Sequence, residues 1–468
     1  MVCCDRRLSL GATESVCPTC LATVPAERFA EGDVVYLRKT CPDHGAVVTP
    51  IWRGLDSYLR WGLAPRAYSR PSVAATPVER GCPHDCGLCS DHRQQSCCVL
   101  LEVTSRCDLA CPVCYASASR NGVDASLDEI DGWLDTLAEA GGRVHIQLSG
   151  GEPTTRDDLP EIVARVRARG FEFVQLNTNG VRIAREPAYL AALAEAGLDC
   201  VFLQFDGVTD EVYRRLRGAK LMRLKAQAIR NCGEAGVGAV LTPTLVPGVN
   251  VGEIGAIVDF AVAHMPAVRA VHFQPVSYFG RCLAEPDAAS RITLPEVMEA
   301  LIAHSGGTIR LDDFRPGSAE NPYCSFSGRF VVDVAGRMRP AADARPSCCG
   351  APAEPQRAAC CGSALPSPDV ARERRYVAGQ WTRADRAAAP VAGLGAFDAF
   401  LDNQERTLGL SGMAFQDAWT LDLDRLRQCH IHVVAPDRRV IPFCAYNLTS
   451  RDGRPLYRTP IAVHEAVA

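Results

Sequence analysis

The chain has 468 residues, of which 47% are hydrophobic and 22% charged, and a formal net charge of -4 at pH 7. That length allows two or three domains with cores of their own, and a near-neutral balance with no long Lys/Arg block gives no electrostatic case for nucleic acid. The N-terminus, MVCCDRRLSL, lacks the apolar run of a signal peptide, and no later stretch is apolar enough to span a bilayer, so the sequence reads as cytoplasmic with no transmembrane segment.

In that compartment clustered thiols indicate metal ligation or redox chemistry rather than disulfides, and 23 cysteines are the outlier of the composition. Cys200, Cys232 and Cys282 lie singly in apolar or helical segments and read as small buried hydrophobes. The clusters begin in residues 1–60, with CPTC (Cys17, Cys20) and, after AERFAEGDVVYLRKT, Cys41 and His44. A Cys-x2-Cys knuckle, a strand and a second Cys-Pro turn predict a small rubredoxin-like or zinc-ribbon-like metal knuckle, in which four ligands replace a core too small to fold alone. Cys17, Cys20 and Cys41 are three of those ligands. The fourth is His44 or one of Cys3 and Cys4, and the set suits a mononuclear zinc or iron. Residues 61–98 are a linker that ends in CPHDCGLCSDHRQQSCC. There Cys82, Cys86 and Cys89 are followed within reach by Cys97 or Cys98, and four thiolates on one short loop fit a fully ligated auxiliary [4Fe-4S] cluster.

Residues 99–315 alternate strand and helix. The strand VLLEVTS leads into RCDLACPVCYASA, where Cys107, Cys111 and Cys114 form a Cys-x3-Cys-x2-Cys row. SLDEIDGWLDTLAEAGG then predicts a helix, with Ser126 and Glu129 as a capping box, Leu127, Ile130, Leu134 and Leu137 on one stripe, and Gly141 and Gly142 as the stop. Strands at VHIQLSGGEPT, FEFVQLNTNG, CVFLQFDG, VGAVLTPTLVPG and VRAVHFQPVS alternate with helices at DDLPEIVARVRARG, EPAYLAALAEAG, LMRLKAQAIRNCGEAG and the Asn250-capped VGEIGAIVDFAVAH. Strands joined by helices of this length predict an α/β fold with right-handed crossovers, a partial (βα)6 TIM-like barrel. Ligands collect beyond the carboxyl ends of such strands. The three-thiol row, Gly150-Gly151-Glu152-Pro153, Asn177, Asn179, Asp206 and Gln274 all fall at those ends.

Residues 316–396 contain AADARPSCCGAPAEPQRAACCGSALPSPDVARER, rich in Ala, Pro and Arg, which predicts a poorly ordered excursion carrying the vicinal pairs Cys348-Cys349 and Cys360-Cys361. Residues 397–468 regain pattern in FQDAWTLDLDRLRQCHIHVVAPDRRVIPFCAYN, where Cys429 and Cys444 pair across two short strands.

Three thiolates can hold three irons of a [4Fe-4S] cluster and leave the fourth open to a small-molecule ligand. The Cys107/Cys111/Cys114 row, followed one helix later by a strand ending in GGEP, resembles the radical S-adenosylmethionine (SAM) superfamily. The resemblance implies that these three cysteines ligate the catalytic cluster and that Val113 packs near the adenine of SAM. It implies that the turn from Gly150 through Gly151 and Glu152 to Pro153 receives the methionyl ammonium. It makes Asn177 or Asn179 and Gln204 or Asp206 candidates for the ribose hydroxyls or the carboxylate, and Gln274 a candidate against adenine or substrate. For Asn179-Gly180 and Asp206-Gly207 the alternative is a turn. By the same resemblance an electron from the reduced cluster, delivered by a flavodoxin- or ferredoxin-type donor, splits the sulfonium. The 5'-deoxyadenosyl radical so released takes hydrogen from an unactivated carbon.

Beyond the barrel, CPTCLATVPAERF, CPHDCGLCSDH and QDAWTLD with QCHIHVVAPDRRVIPFCAYN resemble the branch that contains archaeal tetraether lipid synthases and the methylases of a methanopterin precursor. That likeness implies Cys324, Cys429 and Cys444 as ligands of a further auxiliary cluster in a SPASM-like C-terminal segment. It also implies a small-molecule or lipid substrate that is methylated or coupled through carbon. The vicinal pairs depart from that pattern and, with Cys3-Cys4 and Cys97-Cys98, are similar to a bacterial subgroup of radical SAM (seleno)proteins. Adjacent thiols favour soft elements or redox exchange. Two further readings follow: a radical SAM enzyme making an arsenic-, selenium- or thiol-containing product, and a non-catalytic iron-sulfur or metal sensor.

Overall fold

Four strands, β1 (Leu8–Val16), β2 (Thr23–Glu31), β3 (Val34–Cys41) and β4 (Gly45–Arg53), pair antiparallel in chain order. Strict alternation turns Val35, Leu37, Lys39 and Cys41 of β3 inward, and Gly32 and Gly45 take positive φ values, 59° and 75°, in the turns on either side of β3. This ribbon is braced against the rest of the chain. Arg53 Nη1 donates to Glu296 at 2.7 Å, and the buried Lys39 Nζ donates to the Ala418 carbonyl at 2.8 Å. The computed structural model describes residues 7–64, 69–71, 74–140, 144–282, 285–341, 368–382 and 406–458. Cys3, Cys4, Gly141, Gly142, Cys348, Cys349, Cys360 and Cys361 lie outside them.

The six expected barrel strands are present and parallel, side by side in chain order: β5 (Cys98–Thr104), β6 (His145–Gly150), β7 (Val174–Thr178), β8 (Cys200–Gln204), β9 (Gly238–Thr242) and β11 (Val268–Pro275). A two-residue strand, β10 (Thr244–Leu245), pairs with the end of β11. The helix Leu127–Glu139 starts at the expected capping box, with Ser126 Oγ accepting from the Glu129 N–H at 3.2 Å and the Glu129 carboxylate accepting from the Ser126 N–H at 2.7 Å. The expected cap at Asn250 is absent. Its side chain instead donates to the carbonyls of Asp206 and Thr244 and accepts from the Val246 N–H, each at 2.8 Å. A buried loop whose backbone lacks a ladder partner needs such an amide more than the helix needs a cap. Between β8 and β9 two helices, Asp210–Arg217 and Met222–Ala235, replace the single one expected, divided at Gly218 with φ of 75°.

The sheet continues past both barrel edges. β14 (Thr407–Met413) adds parallel to β11, β12 (Ser325–Val332) runs antiparallel to β14, and β13 (Met338–Pro340) antiparallel to β12. At the other edge β15 (Ile431–Val434) adds parallel to β5, with β16 (Val440–Pro442) antiparallel to it. Strands expected in a separate C-terminal segment thus belong to one 12-stranded sheet with the barrel, because an open parallel sheet leaves unpaired N–H and C=O groups at each edge that these strands satisfy. The helix Pro368–Trp381 packs on the barrel interior, Trp381 lying 5.3 Å from Phe202 between ring centroids. Among the described residues no helix is long and apolar enough to cross a membrane.

Candidate active site

The loop of Cys107, Cys111 and Cys114 is fixed from both sides. On one side the Gly151 N–H donates to the Thr104 carbonyl and the Glu152 N–H to the Arg106 carbonyl, each at 2.7 Å. Gly150 sits at φ of 126°, and a Cβ on Gly150 or Gly151 would collide with the carbonyls of Thr104 or Arg106, so the close approach of the two segments requires glycine. On the other side Arg281 Nε donates to the Cys111 carbonyl at 2.7 Å, and the backbones of Cys114 and Arg281 exchange hydrogen bonds of 2.9 and 3.0 Å. The three thiols line one cavity of about 320 Å³. Burial pushes the Cys107 thiol up to about 12, with the charges of Glu152 and Asp108 adding to it, and burial raises Cys111 against the opposing charge of Arg217. Thiols held back from ionising in this way gain their counter-charge when metal binds. The donor set therefore fits an iron-sulfur cluster.

Val113, Gly150, Gly151, Glu152, Asn177, Asn179, Gln204 and Gln274 line the same cavity, as expected of the strand ends. Their roles divide. Glu152 Oε1 accepts from the Thr154 N–H at 3.1 Å and from the hydroxyls of Thr154 and Thr178 at 2.6 Å each, and Oε2 from the Asn179 N–H at 2.6 Å. These bonds join the ends of β6 and β7. Burial still raises its carboxyl above the usual range. Asn179 Oδ1 accepts from the Val181 N–H at 2.8 Å, so its turn role and its place on the wall coexist. Pro153 is buried, opens a single turn of 3-10 helix and stands off the cavity.

Asp206 differs from expectation. It is fully buried off the cavity wall, held by Arg217 Nε and Nη2 at 2.7 Å each and by the Thr244 N–H at 3.2 Å. Arg217 lines the cavity in its place and donates to the Val113 carbonyl at 3.1 Å. Gln204, with its amide oxygen toward Arg217, accepts from Nε at 2.9 Å. Reading the sequence alone missed Arg217, although a signal exists. It falls on the buried stripe with Tyr213 and Leu216, where an unpaired charge would be costly. Also missed were Lys225, whose buried ammonium donates to the Asn179 carbonyl at 2.5 Å and is pushed down to about 8 by burial, and Tyr115, whose hydroxyl shares a 3.0 Å hydrogen bond with Ser149.

Three further thiol groups lie outside this loop. In the ribbon the donor atoms of Cys17, Cys20, Cys41 and His44 all lie within 4.8 Å of one another, with Cys20 and Cys41 sulfurs 4.0 Å apart. A tetrahedral zinc with Zn–S bonds of about 2.3 Å spaces its sulfurs about 3.8 Å apart, so this set fits one ion; His44 is brought to it, and the alternatives Cys3 and Cys4 lie outside the described residues. Cys86 lies close enough to Cys82 and Cys89 that both raise its pKa. Cys97 is not with them. Its neighbours are Ala319 and Val370, and burial pushes it up to about 12. Hydrogen bonds from the Arg93 N–H to the Arg427 carbonyl and from the Cys97 N–H to the His430 carbonyl, at 2.7 and 2.8 Å, carry this stretch away from the Cys82–Cys89 loop. Cys324, Cys429 and Cys444, from distant parts of the sequence, do converge. Cys429 is raised by burial and then by the charges of Cys444 and Cys324, while Arg425 Nη2 donates to Cys324 Sγ at 3.4 Å.

Comparison with known proteins agrees with this geometry. A profile of the radical SAM superfamily matches residues 101–261, and one described as the HMPTM N-terminal zinc ribbon domain matches residues 9–53. The chain is 32% identical over 475 residues to the 7,8-dihydro-6-hydroxymethylpterin dimethyltransferase of Methanocaldococcus jannaschii, covering 94% of each. It is 36% identical over 187 residues to the Fe-coproporphyrin III synthase of Methanosarcina barkeri, covering 39% of this chain and 45% of that one. Among solved structures, Streptococcus suis SuiB bound to precursor peptide SuiA is matched over 46% of this chain and 47% of that one, at 16% identity and a TM-score of 0.39. Methylornithine synthase (PylB) is matched over 46% and 64%, at 17% identity and a TM-score of 0.37.

Proposed function

The chain belongs to the radical SAM superfamily, and from that premise we propose that it methylates a pterin-like small molecule in the cavity of its barrel. The observation that carries the substrate class is the likeness to the Methanocaldococcus jannaschii pterin dimethyltransferase, which extends through ribbon, barrel and C-terminal strands alike. When bound, a [4Fe-4S] cluster on Cys107, Cys111 and Cys114 together with SAM supplies a one-electron cleavage that yields a hydrogen-abstracting 5'-deoxyadenosyl radical.

The remaining work falls to the chain's own groups. Arg281 and the Gly150-Gly151 turn hold the cluster loop in register, and that turn presents backbone carbonyls to the methionyl ammonium. Glu152 acts through the turn rather than on the ligand, its oxygens being occupied by Thr154, Thr178 and Asn179. Asn177 and Gln204 offer amides to the ribose or carboxylate, Gln274 and Val113 flank the adenine, and Arg217 sets the local charge beside Cys111 and Cys114. The helix Pro368–Trp381 closes the barrel interior, which keeps water and stray reactants from a radical. Cys17, Cys20, Cys41 and His44 hold one zinc, Cys82 with Cys86 and Cys89 one auxiliary cluster, and Cys324 with Cys429 and Cys444 another. The electron comes from a flavodoxin- or ferredoxin-type protein in the cytoplasm.

Anaerobic reconstitution with iron and sulfide, followed by dithionite, SAM and 7,8-dihydro-6-hydroxymethylpterin, tests this. With dithionite supplying the electrons and a further SAM molecule supplying each methyl group, the expected products are 5'-deoxyadenosine, methionine, S-adenosylhomocysteine and a pterin heavier by one or two methyl groups. Deoxyadenosine formation without pterin methylation, with a lipid extract methylated or coupled instead, would replace the substrate class.

A further inference from the structure

The cavity continues below the strand ends to a floor that the proposed chemistry leaves unused. Cys98 and His145, the first residues of β5 and β6, both line it. At about 3.3 Å per residue, β6 carries the wall roughly 17 Å from His145 up to Gly150. The helix Pro368–Trp381 seals this lower end: Glu373 Oε2 accepts from the Ser318 hydroxyl at 3.0 Å, and Arg374 donates to the Ser96 carbonyl. Two carboxylates, Glu320 and Glu373, meet here beside His430, all three on the cavity wall.

The side chains of Glu320 and His430 are 5% and 6% exposed, and Glu320 Oε2 and His430 Nδ1 lie 3.3 Å apart. At that distance Glu320 Oε2 accepts from His430 Nδ1 when that nitrogen carries the proton, and neither atom has any other hydrogen-bond partner among the described residues. The Glu373 carboxyl is raised by burial and then by the charge of Glu320. Ser325 donates to Glu320 Oε1, and a carboxylate oxygen has two lone pairs, so Oε2 keeps capacity for a second donor that a ligand in the cavity would supply. Further along the same cavity, about 12 Å from Glu373 on its helix, Trp381 forms an aromatic wall with Phe202, the rings tilted 35° to one another.

We propose that this floor recognises the substrate: Glu320 and Glu373 accept from an amidine-like edge, a ring N–H beside an exocyclic NH2, on a flat heteroaromatic ring that lies along Phe202 and Trp381. A carboxylate matches two adjacent N–H donors as it matches an arginine fork, and the aromatic wall offers offset stacking. The 2-amino-4-oxopyrimidine half of a pterin carries this edge, whereas a lipid tail does not, so the assignment rests on the pterin reading and deepens it. The substituted half of the ring then points toward the cluster loop.

The test uses the full chain, reconstituted anaerobically and titrated with 6-hydroxymethylpterin and with 6-hydroxymethyllumazine, in which an oxo group replaces the amino group, by following ligand fluorescence. The wild type should prefer the pterin roughly 10- to 100-fold, and Glu320→Gln and Glu373→Gln should each erase most of that preference. Equal or tighter binding of the lumazine by the wild type, or a preference retained in both variants, overturns the floor assignment while leaving the pterin reading intact. Binding of neither ligand overturns both. Should the Gln variants fail to fold, the wild-type comparison of the two ligands decides alone.

Discussion

Asp206 and Arg217 lie together beside the cluster loop, the carboxylate fully buried and the guanidinium 6% exposed. Removing one partner leaves the other charge buried and alone, which costs about 3–5 kcal/mol, whereas removing both leaves no charge behind. Arg217→Met should therefore destabilise the chain by about that much, and the double variant with Asp206→Leu should recover part of it, as a double-mutant cycle in urea would show. Cys107→Ala, Cys111→Ala and Cys114→Ala should each abolish 5'-deoxyadenosine formation while the ribbon keeps its single metal ion, counted by native mass spectrometry. Two cavity histidines set an acid limit. Burial pushes His272 down to about 4 and His145 down to about 3, from an ordinary value of 6.5. Between those values and 6.5 the unfolded chain binds the extra protons, so the stability these residues contribute is intact above pH 6.5 and is lost as pH falls toward 4. Urea midpoints at pH 7 and pH 5 should differ for the wild type and differ less for His272→Asn.

The glycine turn shows what can and cannot be read from a strand end. Its position after β6 follows from periodicity, since an apolar run stopping at Gly-Gly is local information. Its reason lies across the sheet, in the carbonyls of Thr104 and Arg106 that leave no room for a Cβ. Gly151→Ala should displace the cluster loop, and displacement on the scale of an ångström costs roughly a hundredfold in rate; deoxyadenosine formation at matched iron content measures it. The same division explains the other differences. The helix opened by the Ser126–Glu129 capping box, the Cys-x2-Cys knuckle and the barrel strands were legible because each is specified within a few residues. The destination of Cys97, the stapling role of Asn250 and the ion pair of Arg217 were not, because hydrogen bonds to Arg427, His430, Thr244 and Asp206 decide them.

At the scale of the molecule the ribbon, barrel and C-terminal strands share their supports. Arg53 reaches Glu296 at 2.7 Å, Arg427 reaches Glu14 at 2.8 Å, and Thr13 donates to Asp422 at 2.9 Å. Stripping the ribbon metal, by Cys17→Ser with Cys41→Ser, should therefore lower the melting temperature of the whole chain, by roughly 5–10 °C, while some SAM cleavage survives. Differential scanning calorimetry beside the deoxyadenosine assay separates the two effects. The sequence pattern identified the late strands but not their address, since alternation says that a segment is extended and not which edge it joins. That address has a consequence for biosynthesis. Among the described residues β5 and β11 receive their outer neighbours from β15 and β14, which follow residue 406. The nascent barrel thus leaves the ribosome with both flanks bare, prone to sticking to its own copies. Until β14 and β15 are made, each flank offers a row of free N–H and C=O groups that a strand from a second copy can take up.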